Sequence, residues 1–334
     1  MAQTLSDFFK TLDAHFEALG PEEGSSIKIR VRGKLIELRF LLAEHARCVS
    51  SYLLPAPEDT DEEPDAVFHY WTEHCSAFVP KGHEGETAVW QSRDETGYFR
   101  VIPELEMFGV DKARDRYYHC RTPIDYDDYT IHGHSMASTF TRWAINNGHL
   151  LLHSACVGAE GKGLMISARG GGGKSTLAIT ALLTGLDFVS DDYILVNQQG
   201  PMRAFPLYRV VGLNPDMAAI LKPDMPVLRT EPRRGDKLYL DASAYDIKPS
   251  LPVNGILFPN PCKAKEPLIR RSPAGPVLAK VIDSTARQMR VFRDPEPYRV
   301  MASRLSGLPV YEFLLTEDLY INCEYLKEFM KKEL

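Results

Sequence analysis

Residues 164–196, LMISARGGGGKSTLAITALLTGLDFVSDDYILV, carry the side chains of this chain best suited to chemistry. The apolar run Leu164-Met165-Ile166 reads as a short buried strand. It breaks into Ala168-Arg169-Gly170-Gly171-Gly172-Gly173-Lys174-Ser175, and Thr176 opens a stretch that reads as a helix to about Thr184. Consecutive glycines let a backbone take positive φ and turn its N–H groups onto one anion. A helix N-terminus adds partial positive charge at the same point. The pattern is that of a phosphate-binding loop with Ala at the first glycine position. Gly170, Gly171, Gly172, Gly173, Lys174, Ser175 and Thr176 are therefore candidate nucleotide-binding residues. Lys174 would reach the β- and γ-phosphates, and the Ser175 hydroxyl would ligate Mg²⁺. A flexible glycine loop that happens to precede a lysine is the plainer alternative. The strand before the run and the helix after it speak for the phosphate loop.

A second apolar run, Phe188-Val189-Ser190, ends in Asp191-Asp192 and continues as Tyr193-Ile194-Leu195-Val196. A carboxylate pair at a strand end is the usual partner of a Mg-bound nucleotide. Upstream, His153 sits in Leu150-Leu151-Leu152-His153-Ser154-Ala155-Cys156-Val157, which reads as one continuous strand. Alone, such a histidine is more often a hydrogen-bonded core residue than a catalytic one.

Taken together, His153, the run ending Gly173-Lys174-Ser175, and Asp191-Asp192 resemble the kinase domain of HPr kinase/phosphorylase, a family related to phosphoenolpyruvate carboxykinase. The gaps are 21 residues from His153 to Lys174 and 17 from Lys174 to Asp191. Arg209 and Gly212 are similar to the family's next Arg-Gly segment, but Leu207 stands where the family has an acidic residue. The resemblance spans about residues 149–240. It implies an α/β fold, a P-loop domain of that type with a mixed sheet, and an ATP- and Mg²⁺-dependent kinase that phosphorylates a serine of a protein or peptide. It further implies that Ser175 and Asp191 hold the metal, that Asp192 takes the acceptor proton, and that His153 orients Asp192. Lys174 joins Asp192 and His153 in the catalytic set. Three other outcomes stay open: a kinase for a small molecule such as free serine, a nucleotide-binding regulatory module, and a reverse phosphorylase activity. Leu207 favours the regulatory module.

The elements that must position these residues are legible to different degrees. Apolar residues at Phe8, Phe9, Leu12, Phe16 and Leu19 predict a helix behind a Ser/Asp start. Residues 27–31 and 35–40 alternate on either side of Arg32-Gly33-Lys34 and predict a hairpin. A helix is expected over 41–54, an acidic loop over 55–65, and strands over 66–71, 88–91, 98–102 and 116–120. Residues 1–131 thus read as an α+β domain of short antiparallel strands, without a catalytic constellation, serving recognition or homo-oligomerisation. An amphipathic helix over 135–145 then leads into the strand bearing His153, so the second domain is taken as 132–334. Strands at 255–258, 268–269 and 310–315 alternate with helices at 276–286, 297–305 and 320–332, as a layered α/β domain requires.

Between them, residues 229–237 bring Arg229, Arg233, Arg234 and Lys237 together. Five prolines over 205–237 make that stretch look irregular. It reads either as a solvated basic loop or as a lid that closes a cation on the phosphates.

Composition excludes several classes. A chain of 334 residues with 44% hydrophobic and 25% charged residues matches a soluble globular protein. A net charge of −6 argues against a nucleic-acid partner. No apolar run reaches the length of a membrane span, and the start MAQTLSDFFK lacks a signal peptide's pattern. The six cysteines form no regular framework and read as reduced thiols of a cytoplasmic protein.

Overall fold

A computed structural model describes residues 4–79, 89–123, 133–232, 235–288 and 296–334. The chain divides into two compact units, Met1–Asn146 and Asn147–Leu334. The expected boundary near His132 lies outside the described residues, and the helix over 135–145 falls in the first unit.

The first unit starts with α1 (Leu5–Ala18), whose Thr4 side chain caps it by accepting the Asp7 N–H. Leu5, Phe9, Leu12 and Phe16 recur at helical spacing and are buried. Strands β1 (Ser26–Val31), β2 (Lys34–Phe40), β3 (Ala66–Thr72), β4 (Trp90–Arg93), β5 (Gly97–Ile102), β6 (Glu106–Asp111) and β7 (Arg116–Arg121) form one sheet in the order β1-β2-β3-β7-β6-β5-β4. The sheet is mixed, not purely antiparallel as expected: β2–β3 and β3–β7 run parallel. The β2–β3 connection is a crossover, which α2 (Ala43–Tyr52) supplies. Strand β6 escaped the sequence reading because Met107 through Asp111 are all buried, so no apolar–polar alternation marks it. Helix α3 (Ala137–Asn146) closes the unit, with Phe140 edge-on to Phe68 and Arg142 over the rings of Tyr98 and Phe108. Cys75 and Cys120 are buried thiols with their sulfurs 3.7 Å apart, and all six cysteines are unbridged.

His69 on β3 is fully buried, stacked on Tyr118 and edge-on to Phe16, and neither ring nitrogen has a hydrogen-bond partner. Burial, helped by the nearby Arg39, pushes its pKa from 6.5 down to about 3. Above pH 6.5 the folded and unfolded chains hold this ring alike. Below it the unfolded chain takes a proton that the folded chain refuses, so stability is lost as pH falls toward 3. The slope is about 1.4 kcal/mol per pH unit. His69→Phe is expected to flatten the slope between pH 6 and 4. Urea unfolding followed by tryptophan fluorescence reads this unit selectively, because Trp71, Trp90 and Trp143 all lie in it. Equal slopes in variant and wild type would contradict the expectation.

Among its described residues the second unit holds three sheets. Six strands make a mixed sheet in the order β11-β9-β10-β18-β20-β19. They are β9 (Ala155–Ala159), β10 (Lys162–Ile166), β11 (Asp187–Ser190), β18 (Gly255–Asn260), β19 (Leu268–Arg271) and β20 (Val310–Leu314). Helices α4 (Lys174–Leu183) and α8 (Leu319–Glu333) pack on it, burying Leu177, Ala178, Leu326 and Met330 against Val157, Leu164 and Phe313. A four-stranded antiparallel sheet runs β17-β13-β12-β8, from β8 (His149–Leu152), β12 (Ile194–Asn197), β13 (Arg203–Pro206) and β17 (Leu251–Pro252). The third sheet, β14-β16-β15, joins β14 (Val210–Leu213), β15 (Val227–Glu231) and β16 (Lys237–Asp241), with α5 (Pro215–Leu221) between β14 and β15. The stretch 205–237 is therefore not the irregular chain expected: β15 and β16 pair antiparallel, with Arg229 in β15 and Lys237 opening β16. Helices α6 (Ala274–Gln288) and α7 (Glu296–Ser306) complete the unit.

Candidate functional site

The strand expected over 150–157 is broken. β8 ends at Leu152 and belongs to the four-stranded sheet, while β9 begins at Ala155 and belongs to the six-stranded one. His153 sits in the bend, where the Ser154 N–H turns back onto the Leu152 carbonyl at 2.9 Å. The chain makes the same change of sheet at Asp191-Asp192, between β11 and β12. Leu152 faces Ile194 in one sheet and Cys156 faces Ser190 in the other. The two switch points therefore lie side by side, which is how residues 39 positions apart in sequence come into contact.

The contact is a chain of polar groups. His153 Nε2 lies 2.7 Å from Asp192 Oδ1, and Lys174 Nζ lies 2.5 Å from the same oxygen. Lys174 also donates to the Asp191 backbone carbonyl at 2.5 Å. Lys174 and Asp192 are each only 8% exposed, so their attraction is little screened by water. On the far side of the imidazole, Nδ1 lies 2.7 Å from Ser284 Oγ, and the His153 N–H donates to Thr285 Oγ1 at 3.2 Å. The Tyr193 ring packs at 5.3 Å from the imidazole.

The glycine run bridges β10 and α4. Gly171 (φ 76°) and Gly173 (φ 85°) occupy left-handed conformations that other residues rarely adopt. Gly173 is also the residue that caps α4. Gly170 and Gly171 have open space where a side chain would stand, so their backbone is accessible to a ligand. Ser175 and Thr176, in the first turn of α4, are half-buried.

Asp191 has a different side-chain partner. It is fully buried, its Oδ2 accepts the Gly212 N–H at 3.1 Å, and its Oδ1 has no hydrogen-bond partner. Burial and the neighbouring Asp192 charge hold its pKa above the usual carboxylate range, with Lys174, Lys237 and the Gly212 N–H opposing. An orphaned carboxylate oxygen is what a hard cation, or a proton, would satisfy. A hydroxyl and a carboxylate are the oxygen donors Mg²⁺ prefers, so Ser175 and Asp191 fit that ion chemically. Among the described residues no group of three or more His, Cys, Asp and Glu side chains could hold a metal, so phosphate oxygens and water would supply the remaining ligands.

Of the basic run, Arg233 and Arg234 lie outside the described residues. Arg229 pairs with Glu231 at 3.5 Å within β15. Lys237 runs over the α-carbon of Gly212, where a β-carbon would meet its Cε at 2.4 Å, and its charge acts on Asp191. Gly212 thus leaves the room that lets Lys237 lean toward the buried carboxylate. Arg209 lies 3.6 Å from Asp241, and Leu207 is fully buried. Sequence reasoning missed Ser284, Thr285 and Tyr193. The first two belong to a helix more than 130 residues from His153, and nothing local in that helix marks them.

The sequence matches no protein-family model and no curated protein. Among solved structures it is similar to the HPr(Ser) kinase/phosphatase from Coxiella burnetii, with 12% identity and a TM-score of 0.30 over 54% of this chain and 95% of that one. At that level of similarity the activity of this chain has to be argued from its own residues. Among the described residues no helix is long and apolar enough to cross a membrane.

Proposed function

We propose that the second unit is an ATP- and Mg²⁺-dependent kinase that transfers the γ-phosphoryl group to a serine hydroxyl of a protein or peptide. The observation that carries this reading is the Lys174–Asp192–His153 chain, set directly behind a glycine run that opens a helix. Phosphoryl transfer asks a protein mainly to position reactants and neutralise charge. The backbone of 170–176 would hold the phosphates, with Lys174 on the β- and γ-groups. Ser175 and Asp191 would hold Mg²⁺, which supplies neutralisation of phosphate charge. Asp192 accepts the proton of the acceptor hydroxyl as its oxygen bonds to the γ-phosphorus and the bond to the ADP oxygen breaks. His153 keeps Asp192 aimed at that hydroxyl.

A non-catalytic nucleotide-binding module is the second reading. It is favoured by Leu207, buried and apolar where the resembled family has an acid. One experiment separates the two. The full chain is incubated with γ-labelled ATP and Mg²⁺ beside a serine-peptide library and, in parallel, free serine. Label on a peptide serine supports the proposal, and label on free serine moves the acceptor to a small molecule. ATP binding without labelled acceptor supports the module.

A further inference from the structure

We infer that Ser284 is a positioning residue that fixes the imidazole of His153 against Asp192, an inference that rests on the kinase reading for its consequence but not for its geometry. Asp192 Oδ1 already faces the Lys174 ammonium, so toward Nε2 it acts as an acceptor. Nε2 therefore carries the proton of that 2.7 Å contact, and in the neutral ring Nδ1 presents a lone pair. Ser284 Oγ stands 2.7 Å from Nδ1. A hydroxyl both donates and accepts, so it can serve Nδ1 in either protonation state without the ring moving. With both nitrogens engaged, the imidazole cannot flip or pivot without losing two hydrogen bonds.

The backbone is held separately. The His153 N–H donates to Thr285 Oγ1, which is buried, so the bend stays in place when the Ser284 hydroxyl is removed. Ser284 and Thr285 are consecutive on α6, which thereby grips the side chain and the main chain of one residue at the point where the strand changes sheets. This arrangement assigns α6, otherwise remote from the glycine run in sequence, a part in setting the direction of the Asp192 carboxylate.

The test uses the full ¹⁵N-labelled chain without nucleotide. Long-range ¹H–¹⁵N correlation spectra record both ring nitrogens of His153, assigned by their loss in His153→Gln. In Ser284→Ala the Nδ1 resonance is expected to shift, and the Nε2–H correlation to broaden or split as the ring samples a second orientation. Ser284→Thr, which keeps the hydroxyl, is expected to restore the wild-type pattern. In the transfer assay Ser284→Ala is expected to lower kcat about tenfold, a typical size for loss of a group that orients a functional side chain. The KM for ATP should stay within about twofold, since Ser284 bonds the His153 ring and not Lys174 or the glycine run. Unchanged ring resonances in Ser284→Ala, or unchanged turnover in a protein that transfers phosphate, would overturn the inference. A wild type that transfers no phosphate while its ring responds to Ser284→Ala removes the kinase reading and leaves the positioning role standing.

Discussion

On the proposed kinase reading, Asp192→Asn is expected to lower phosphoryl transfer by about 10²–10⁴-fold, the span for loss of a positioned general base. Nucleotide affinity should be kept or improved. The reason lies in the two contacts on Oδ1. Lys174 Nζ is held 2.5 Å from that oxygen, and in the proposed function it leaves Asp192 to meet a phosphate. An amide oxygen carries no net charge and holds the ammonium less strongly, so the lysine is released more easily. The amide also keeps an oxygen that can face the Nε2–H of His153, so the ring need not move. Single-turnover transfer with labelled ATP, beside calorimetry with ATP·Mg, reads the two effects separately. Full transfer activity in the variant would remove Asp192 from the chemistry. A loss confined to nucleotide binding would make Asp192 a partner of the lysine and nothing more.

Lys174→Ala is expected to act in the opposite sense, losing ATP·Mg affinity. Deleting one charge-assisted contact to phosphate costs about 1.5–3 kcal/mol, or roughly 10- to 150-fold in Kd. The fold should survive, because Lys174 opens α4 while the helix is anchored by Leu177, Ala178 and Ile179 in the core. Asp192 keeps His153 as a partner, so the variant does not strand a buried carboxylate with no donor. Calorimetry of both proteins with ATP·Mg tests the expectation, with circular dichroism to verify folding. Equal affinities would mean that the glycine run does not hold the phosphates.

The glycine run and the helix after it were legible because the signal is local. Positive φ at Gly171 and Gly173, and a helix opening at the next residue, follow from which residues can adopt those conformations. The amphipathic helices were legible for the same reason, since the buried residues of α1 recur at the helical period in sequence. The strands were less so. β6 is buried on nearly every residue, and burial on both faces erases the period-two pattern. Arg229 and Lys237 lie in paired strands, where the prolines of 205–237 suggested irregular chain. The hydrogen-bonded partner of an edge is invisible in the edge's own composition.

The sequence by itself determined the candidate reactive groups: His153, Lys174, Ser175, Asp191 and Asp192, with the glycines that give the backbone its freedom. Only the tertiary structure decided how they are arranged, because the decisive event is a change of hydrogen-bonding partner. At His153 and again at Asp191-Asp192 the chain leaves one sheet for another, and the two crossings lie side by side. That separates the adjacent aspartates: Asp192 meets Lys174 and His153, while Asp191 is buried toward Gly212 and Lys237. It also recruits Ser284 from a helix 131 residues further along the chain. Residue types and their periodicity record local conformation and burial. Which distant edge completes a strand, and which distant hydroxyl completes an imidazole, depends on packing of the whole unit and leaves no local trace.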